Sequence, residues 1–267
     1  MKRVVSAIGV VLFTLLMLLF SKSPVLNILV SLVSALCLWE ALVTSKYIES
    51  RLITALSLLV AVSVPFLTEL PYKYLLLILL IYGFALFVTL IINYGKLKLE
   101  HICVVFMLSI VIPFFFSNIV MLRSEKGGEF YIYLIFIAAW FTDTCALWAG
   151  SLFGKHKLSP KISPNKTVEG AIGGIFGALV GFIVFGLVVQ NSFGKDVNMT
   201  VLIIAAIITS IAGQLGDLSA SLIKRSFGAK DFGTLIPGHG GMLDRFDSVL
   251  FVAPALHMIV LFLPFIK

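Results

Sequence analysis

The sequence predicts an all-α, polytopic integral membrane protein, and three observations carry that expectation. Hydrophobic residues fill 60% of the 267 positions and charged residues only 12%, where a soluble domain runs at about 25% charged. Mean hydropathy is +1.11 in a chain of 29.2 kDa, which leaves too few polar side chains to cover a soluble globule. Nine apolar runs, most of them close to the ~20 residues that a hydrocarbon core demands, follow one another with short polar breaks. Three cysteines exclude a disulfide scaffold, and the composition excludes disorder. Cys37, Cys103 and Cys145 all lie within apolar runs and read as small buried hydrophobes, without zinc spacing.

The runs cover residues 4–20, 24–45, 52–70, 74–94, 102–122, 130–150, 171–190, 200–224 and 248–266. The first begins after Lys2 and Arg3, as secretory signals do. Its 17 apolar residues exceed an ordinary signal core, so it reads as a span. The second contains Glu40. A charge at that depth costs about 2.5–3.5 kcal/mol on insertion scales, so it requires a partner or a wet cavity. A structural hydrogen bond to another helix and a functional role both remain open for it. Spans three to five are nearly pure Leu, Val, Ile, Phe and Ser. Span six places Asp143 between two threonines, an intramembrane acid and hence a site candidate.

Orientation follows from the distribution of Lys and Arg. A cytoplasmic N-terminus puts 14 of the 20 basic residues on the cytoplasmic side, together with the two longest basic loops, 151–170 and 225–247. The net charge of +7 then reads as topology plus a site for something anionic, with no nucleic acid expected in so apolar a chain.

The polar chemistry falls almost wholly after residue 142. Span eight carries Ser210, Gln214, Asp217, Ser221 and Lys224 at spacings of four, three, four and three, which is one face of a helix. Such a stripe must line the protein interior or a water-filled cleft. The loop after it holds Arg225, Lys230 and Asp231, then Pro237-Gly238-His239-Gly240-Gly241. Three glycines around a histidine let the backbone approach a ligand and aim several N–H groups at it, an arrangement that suits phosphate at a helix start. Asp244-Arg245-Phe246-Asp247 follows at once, with both carboxylates on one side of a helix. Acids converging amid Lys and Arg suggest Mg²⁺ holding a polyphosphate, since magnesium takes one or two carboxylates plus water and phosphate oxygens. Before span seven, Ser163-Pro164-Asn165-Lys166-Thr167-Val168-Glu169-Gly170 looks like a turn feeding a helix N-terminus, with Lys and hydroxyl donors aimed at an anion.

From Ser221 through Lys224-Arg225, Lys230-Asp231 and Pro237-Gly238-His239-Gly240-Gly241-Met242 to Asp244-Arg245-Phe246-Asp247, 27 residues closely resemble the signature of phosphatidate cytidylyltransferases. The Ser163 to Gly170 stretch resembles that family's second characteristic region. The resemblance covers about 143–247 and departs after Asp143-Thr144, where the family pattern has a glycine and later a tyrosine and this chain has Cys145 and Leu147.

The resemblance implies that CTP and phosphatidate give CDP-diacylglycerol and pyrophosphate, with Mg²⁺ and a second cation. It implies Asp217, Asp244 and Asp247 as metal ligands. Lys224 and Arg245 join them as catalytic residues. Asp143, Ser163, Lys166, Thr167, Ser221, Arg225, Lys230, Asp231, Gly238, His239, Gly240 and Gly241 are expected to bind substrate. Residues 1–129 then read as a helical scaffold able to carry homodimer contacts, and 130–267 as the catalytic region at the cytoplasmic face of the bilayer. Two other readings stand beside this one. An ion-coupled transporter would also place acids on a polar helix face, although no internal repeat is visible. A CTP-dependent polyprenol kinase would share the nucleotide but transfer its γ-phosphoryl group.

Overall fold

The computed structural model describes residues 2–44, 47–233 and 240–266. Helices dominate it: α1 (Lys2–Leu19), α2 (Val25–Trp39) with a π-helical turn at Glu40–Thr44, α3 (Arg51–Leu67), α4 (Tyr72–Ile92), α5 (Leu99–Arg123), α6 (Gly128–Phe153), α7 (Val168–Phe193), α8 (Met199–Ser226) and α9 (Leu243–Phe262). Seven of these described helices are long and apolar enough to cross a membrane. The expectation of nine spans differs at α1, which is not among the seven, and at α3, which has only 17 residues.

The all-α expectation also needs one amendment. Strands β1 (Lys157–Ser159) and β2 (Ser163–Thr167) pair antiparallel, with Lys157 opposite Thr167 and Ser159 opposite Ser163. This hairpin takes the place of the turn expected before span seven.

The chain divides into two compact units. That division reflects compactness, whereas the sequence boundary at residue 130 separates the expected scaffold from the span that carries Asp143 and the polar regions after it. The first unit comprises residues 1–121 and 227–245. Side-chain hydrogen bonds stitch its helices together where apolar packing alone gives no register. Asn27 donates to the Pro65 carbonyl at 3.0 Å and to Glu69 at 2.9 Å, and Ser31 donates to the Val62 carbonyl at 2.9 Å. The Tyr82 hydroxyl lies 2.8 Å from both Ser57 and Ser109, joining α3, α4 and α5. Tyr47 stacks on Phe227 at 4.1 Å and meets His101 edge-on at 5.1 Å. That contact ties the start of the 227–245 segment to the N-terminal helices.

The second unit comprises residues 122–226 and 246–267. Its tightest pair is α6 with α7, and glycines on one face of α7 explain why. A β-carbon at Gly170 would lie 2.8 Å from the Ala146 carbonyl oxygen, and one at Gly174 would lie 2.9 Å from that of Thr142. Gly173 and Gly177 leave the same room for Ala149 and Cys145. Small residues of this kind let helix backbones meet inside a bilayer, where apolar side chains alone give no preference for helix over lipid. Cys145, one of the two departures from the family pattern, fits because Gly177 faces it. Gly216 of α8 likewise admits the Asp247 backbone, with a β-carbon placed 2.5 Å from that carbonyl oxygen. Tyr131 fastens the chain end by accepting the Phe265 and Ile266 N–H groups at 3.0 and 2.8 Å.

Candidate active site

Helix periodicity aims the polar stripe of α8 inward, as its spacing predicts. Ser210 is fully buried and accepts from Thr142 of α6 at 2.9 Å. Gln214 donates to the Ala171 carbonyl of α7 at 3.1 Å. One turn further on, Asp217 is half-buried and pairs with Lys166 of β2, Nζ to Oδ2 being 2.5 Å. Ser221 sits 3.5 Å from the other carboxylate oxygen, Oδ1. The hairpin and α8, distant in sequence, therefore meet through an ion pair.

Two features fix the hairpin that delivers Lys166. Thr167 is the N-cap of α7: its hydroxyl oxygen accepts the Gly170 N–H at 3.1 Å, satisfying one of the helix's orphan donors. Its side chain is buried and engaged as a cap, and the expected role in substrate binding has to be set beside that engagement. Glu169 reaches back to the other end of the loop. It accepts the Lys155 N–H at 3.1 Å and the His156 N–H at 3.2 Å, and its Oε1 lies 2.6 Å from His156 Nδ1. Ser163 is paired within the hairpin itself.

A second acid lies in the same unit. Asp247 is 8% exposed, and its Oδ1 accepts the N–H of Ser248 at 2.8 Å. Asp143, Asp217 and Lys224 are its charged neighbours. Asp143 of α6 accepts the Ser248 hydroxyl at 3.3 and 3.2 Å through its two oxygens. Unit two thus gathers Asp143, Lys166, Asp217, Lys224 and Asp247 from four elements. Ser248 is the member that sequence reasoning missed; the only signal for it was a hydroxyl directly after Asp247. Arg225 is exposed in the last turn of α8.

The remaining expected site residues belong to unit one. Lys230, Asp231 and Arg245 are exposed. Gly238 and His239 lie outside the described residues. Gly240 adopts φ +84°, a conformation that disfavours any side chain. The sequence aims the N–H groups of this loop at phosphate; of those described, the Gly241 N–H meets one of the protein's own carboxylates. Asp244 Oδ2 accepts the Gly241 N–H at 3.0 Å and the Phe232 N–H at 3.2 Å. Glu40 is fully buried and accepts the N–H of Leu243, the first residue of α9, at 2.9 Å.

Among the described residues no group of three or more His, Cys, Asp or Glu side chains is close enough to cage a metal ion. Asp217 and Asp247 offer carboxylate oxygens of the kind that magnesium prefers. A site with few protein ligands suits an ion that carries water and phosphate oxygens with it.

Comparison with known proteins agrees with this chemistry. The curated phosphatidate cytidylyltransferase of Staphylococcus haemolyticus is 49% identical over 138 residues, which is 52% of this chain and 52% of that protein. That of Staphylococcus saprophyticus is 49% identical over 139 residues, 52% of this chain and 51% of the relative. The protein of the same name from Staphylococcus aureus strain COL is 48% identical over 139 residues, with the same coverage. The matched stretch spans about half the length of these relatives. The match to the family described as the cytidylyltransferase family is far longer, running over residues 1–263, and by it this helical, lysine- and aspartate-centred chain belongs to the cytidylyltransferase family.

Proposed function

We propose that the protein is a phosphatidate cytidylyltransferase. The observation that carries this reading is the Lys166–Asp217 ion pair, which sets a basic hairpin against an acidic helix face beside Asp247. The names of the relatives supply the substrates: CTP and phosphatidate.

The chemistry suits these residues. A phosphate monoester such as phosphatidate is largely dianionic near neutral pH, its second pKa being about 6, so it attacks without a general base. One of its oxygens forms a bond to the α-phosphorus of CTP. The bond between that phosphorus and the α,β-bridging oxygen breaks, and its electron pair leaves with pyrophosphate. The obstacle is repulsion between two anions, which is removed by fixed positive charge in a site of low dielectric. Lys166 would exchange Asp217 for the triphosphate, with Lys224, Arg225 and Arg245 adding charge. Asp217 and Asp247 would hold Mg²⁺, with Asp244, one turn ahead of Asp247 on α9, as the third proposed ligand. When bound, the ion would neutralise phosphate charge. A second cation, binding of substrate by the 240–241 backbone, and a homodimer complete the proposal from family resemblance.

Placement in the bilayer is part of the same reading. We take the N-terminus, the 151–170 loop and the 225–247 loop to be cytoplasmic, where CTP is available, with nine spans if α1 and α3 also cross. A cysteine at 155–161 should then label with an impermeant reagent only from the cytoplasmic side, and labelling from the opposite side would reverse the topology.

The deciding experiment is product analysis on purified protein in phosphatidate-containing vesicles with CTP and Mg²⁺. CDP-diacylglycerol and pyrophosphate in equal amounts are expected. Release of CDP with a phosphorylated lipid would instead assign a kinase.

A further inference from the structure

We infer that Glu40 is a positioning residue: its carboxylate holds the first amide of α9 and lies against Gly241 just before it, and so sets where Asp244 stands. The role of Asp244 rests on the function proposed above; the hold of Glu40 on the loop is read from geometry.

Glu40 is the first residue of the π-helical turn that ends α2, and it is completely buried. Burying a carboxylate is costly unless it is hydrogen-bonded, so its retention calls for a specific contact. That contact is 203 positions away in sequence: Oε2 accepts the N–H of Leu243 at 2.9 Å. The first amides of a helix have no partner within it, and an acid there satisfies one of them while complementing the helix dipole. π-Helical turns recur at functional sites, and this one aims its first side chain at the loop.

The loop is fitted closely to that carboxylate. A β-carbon on Gly241 would lie 2.7 Å from Glu40 Oε2 and 3.1 Å from Asp244 Oδ2, so any side chain there would have to push the Glu40 carboxylate aside. The Gly241 N–H donates to Asp244 at 3.0 Å, and the Phe232 N–H supplies a second bond at 3.2 Å. Residues 241–244 are therefore gripped twice: Glu40 holds the Leu243 amide, and Asp244 folds back on the Gly241 amide. Releasing the first grip lets the whole turn move, carrying the Asp244 carboxylate with it. A glutamine at position 40 keeps an acceptor oxygen in place, whereas an alanine keeps none.

The test uses full-length wild type, Glu40→Gln, Glu40→Ala and Gly241→Ala in lipid nanodiscs. The first reading is hydrogen exchange of peptides covering 240–250, with α6 and α7 peptides as internal controls. In Glu40→Ala the 240–250 peptides should exchange about tenfold faster while the controls stay unchanged. The second reading is CDP-diacylglycerol formation across a magnesium titration. Half-saturating Mg²⁺ should rise by roughly 10-fold or more, as when a group supporting a metal ligand is lost. Glu40→Gln should stay within about threefold of wild type on both readings. Should Glu40→Ala fail to fold, Gly241→Ala probes the same contact from the loop side and should show the same two changes. Normal exchange and normal magnesium dependence in a folded Glu40→Ala, or in Gly241→Ala, would overturn the positioning role. Equal losses in Glu40→Gln and Glu40→Ala would overturn it too, because charge and not the acceptor would then be what matters. A wild type that makes no CDP-diacylglycerol would sink the proposed function, while the exchange reading would still judge the grip on the loop.

Discussion

Two sets of carboxylates in this protein are held by opposite means. In the first unit, Glu40 is bound by the first main-chain amide of α9 and Asp244 by those of Phe232 and Gly241 before it. In the second, Asp217 pairs with the Lys166 ammonium and Asp143 with the Ser248 hydroxyl. An amide within a packed turn cannot turn away from its acceptor without moving the chain. A lysine on a flexible stem, itself a quarter exposed, can leave one anion for another. The contrast separates the amide-held acids from Asp217, whose lysine partner is able to leave for another anion.

The largest effects should fall on the acids proposed to hold the metal in the second unit, Asp217 with its exchangeable lysine and Asp247. Asp217→Asn and Asp247→Asn should each lower CDP-diacylglycerol formation by about 100-fold or more, with a double variant scarcely worse than either. Product counting at saturating CTP checks this, and losses that multiply would show that the two acids act separately. Lys166→Met comes next. Removing the ammonium should cost about 30-fold, with the KM for CTP raised and Lys166→Arg recovering part of the loss. An unchanged KM would mean that the lysine never leaves Asp217.

Asp244→Asn sharpens the comparison from the other side. Its amide oxygen can still accept from Gly241 and Phe232, so the loop stays in place and the loss should be nearer 10-fold, seen chiefly as a raised magnesium requirement. A loss as deep as that of Asp217→Asn would break the distinction between the two sets. Thr142→Val marks the small end of the scale. It removes the 2.9 Å bond to Ser210, worth about 0.6 kcal/mol between helices in a membrane, and should lower the melting temperature slightly without altering the rate.

Much of this architecture was legible because a bilayer imposes long apolar helices, and the 3.6-residue spacing from Ser210 to Lys224 could belong only to an inward helix face. Lys157–Ser159 is too short for alternation to register as a strand, so the hairpin was invisible until β2 paired with it. The partner of Glu40 was hidden for another reason: no local pattern links a residue of the second apolar run to an amide 203 positions later. The acids of the 244–247 run were legible as a group. Their different surroundings were not, because backbone donors leave no mark on side-chain spacing.

The glycine face of α7 has a consequence for handling the protein. Where Gly173 sits against the Ala149 methyl and Gly177 against the Cys145 side chain, the missing β-carbons let the α7 backbone lie directly on small side chains of α6. A detergent tail needs a crevice as wide as a methylene chain, and this seam has none. Detergent should therefore replace lipid on the outward faces of α6 and α7 while the pair stays packed. Lys166, rooted in the hairpin that joins them, should then keep its pairing with Asp217 of α8 in detergent.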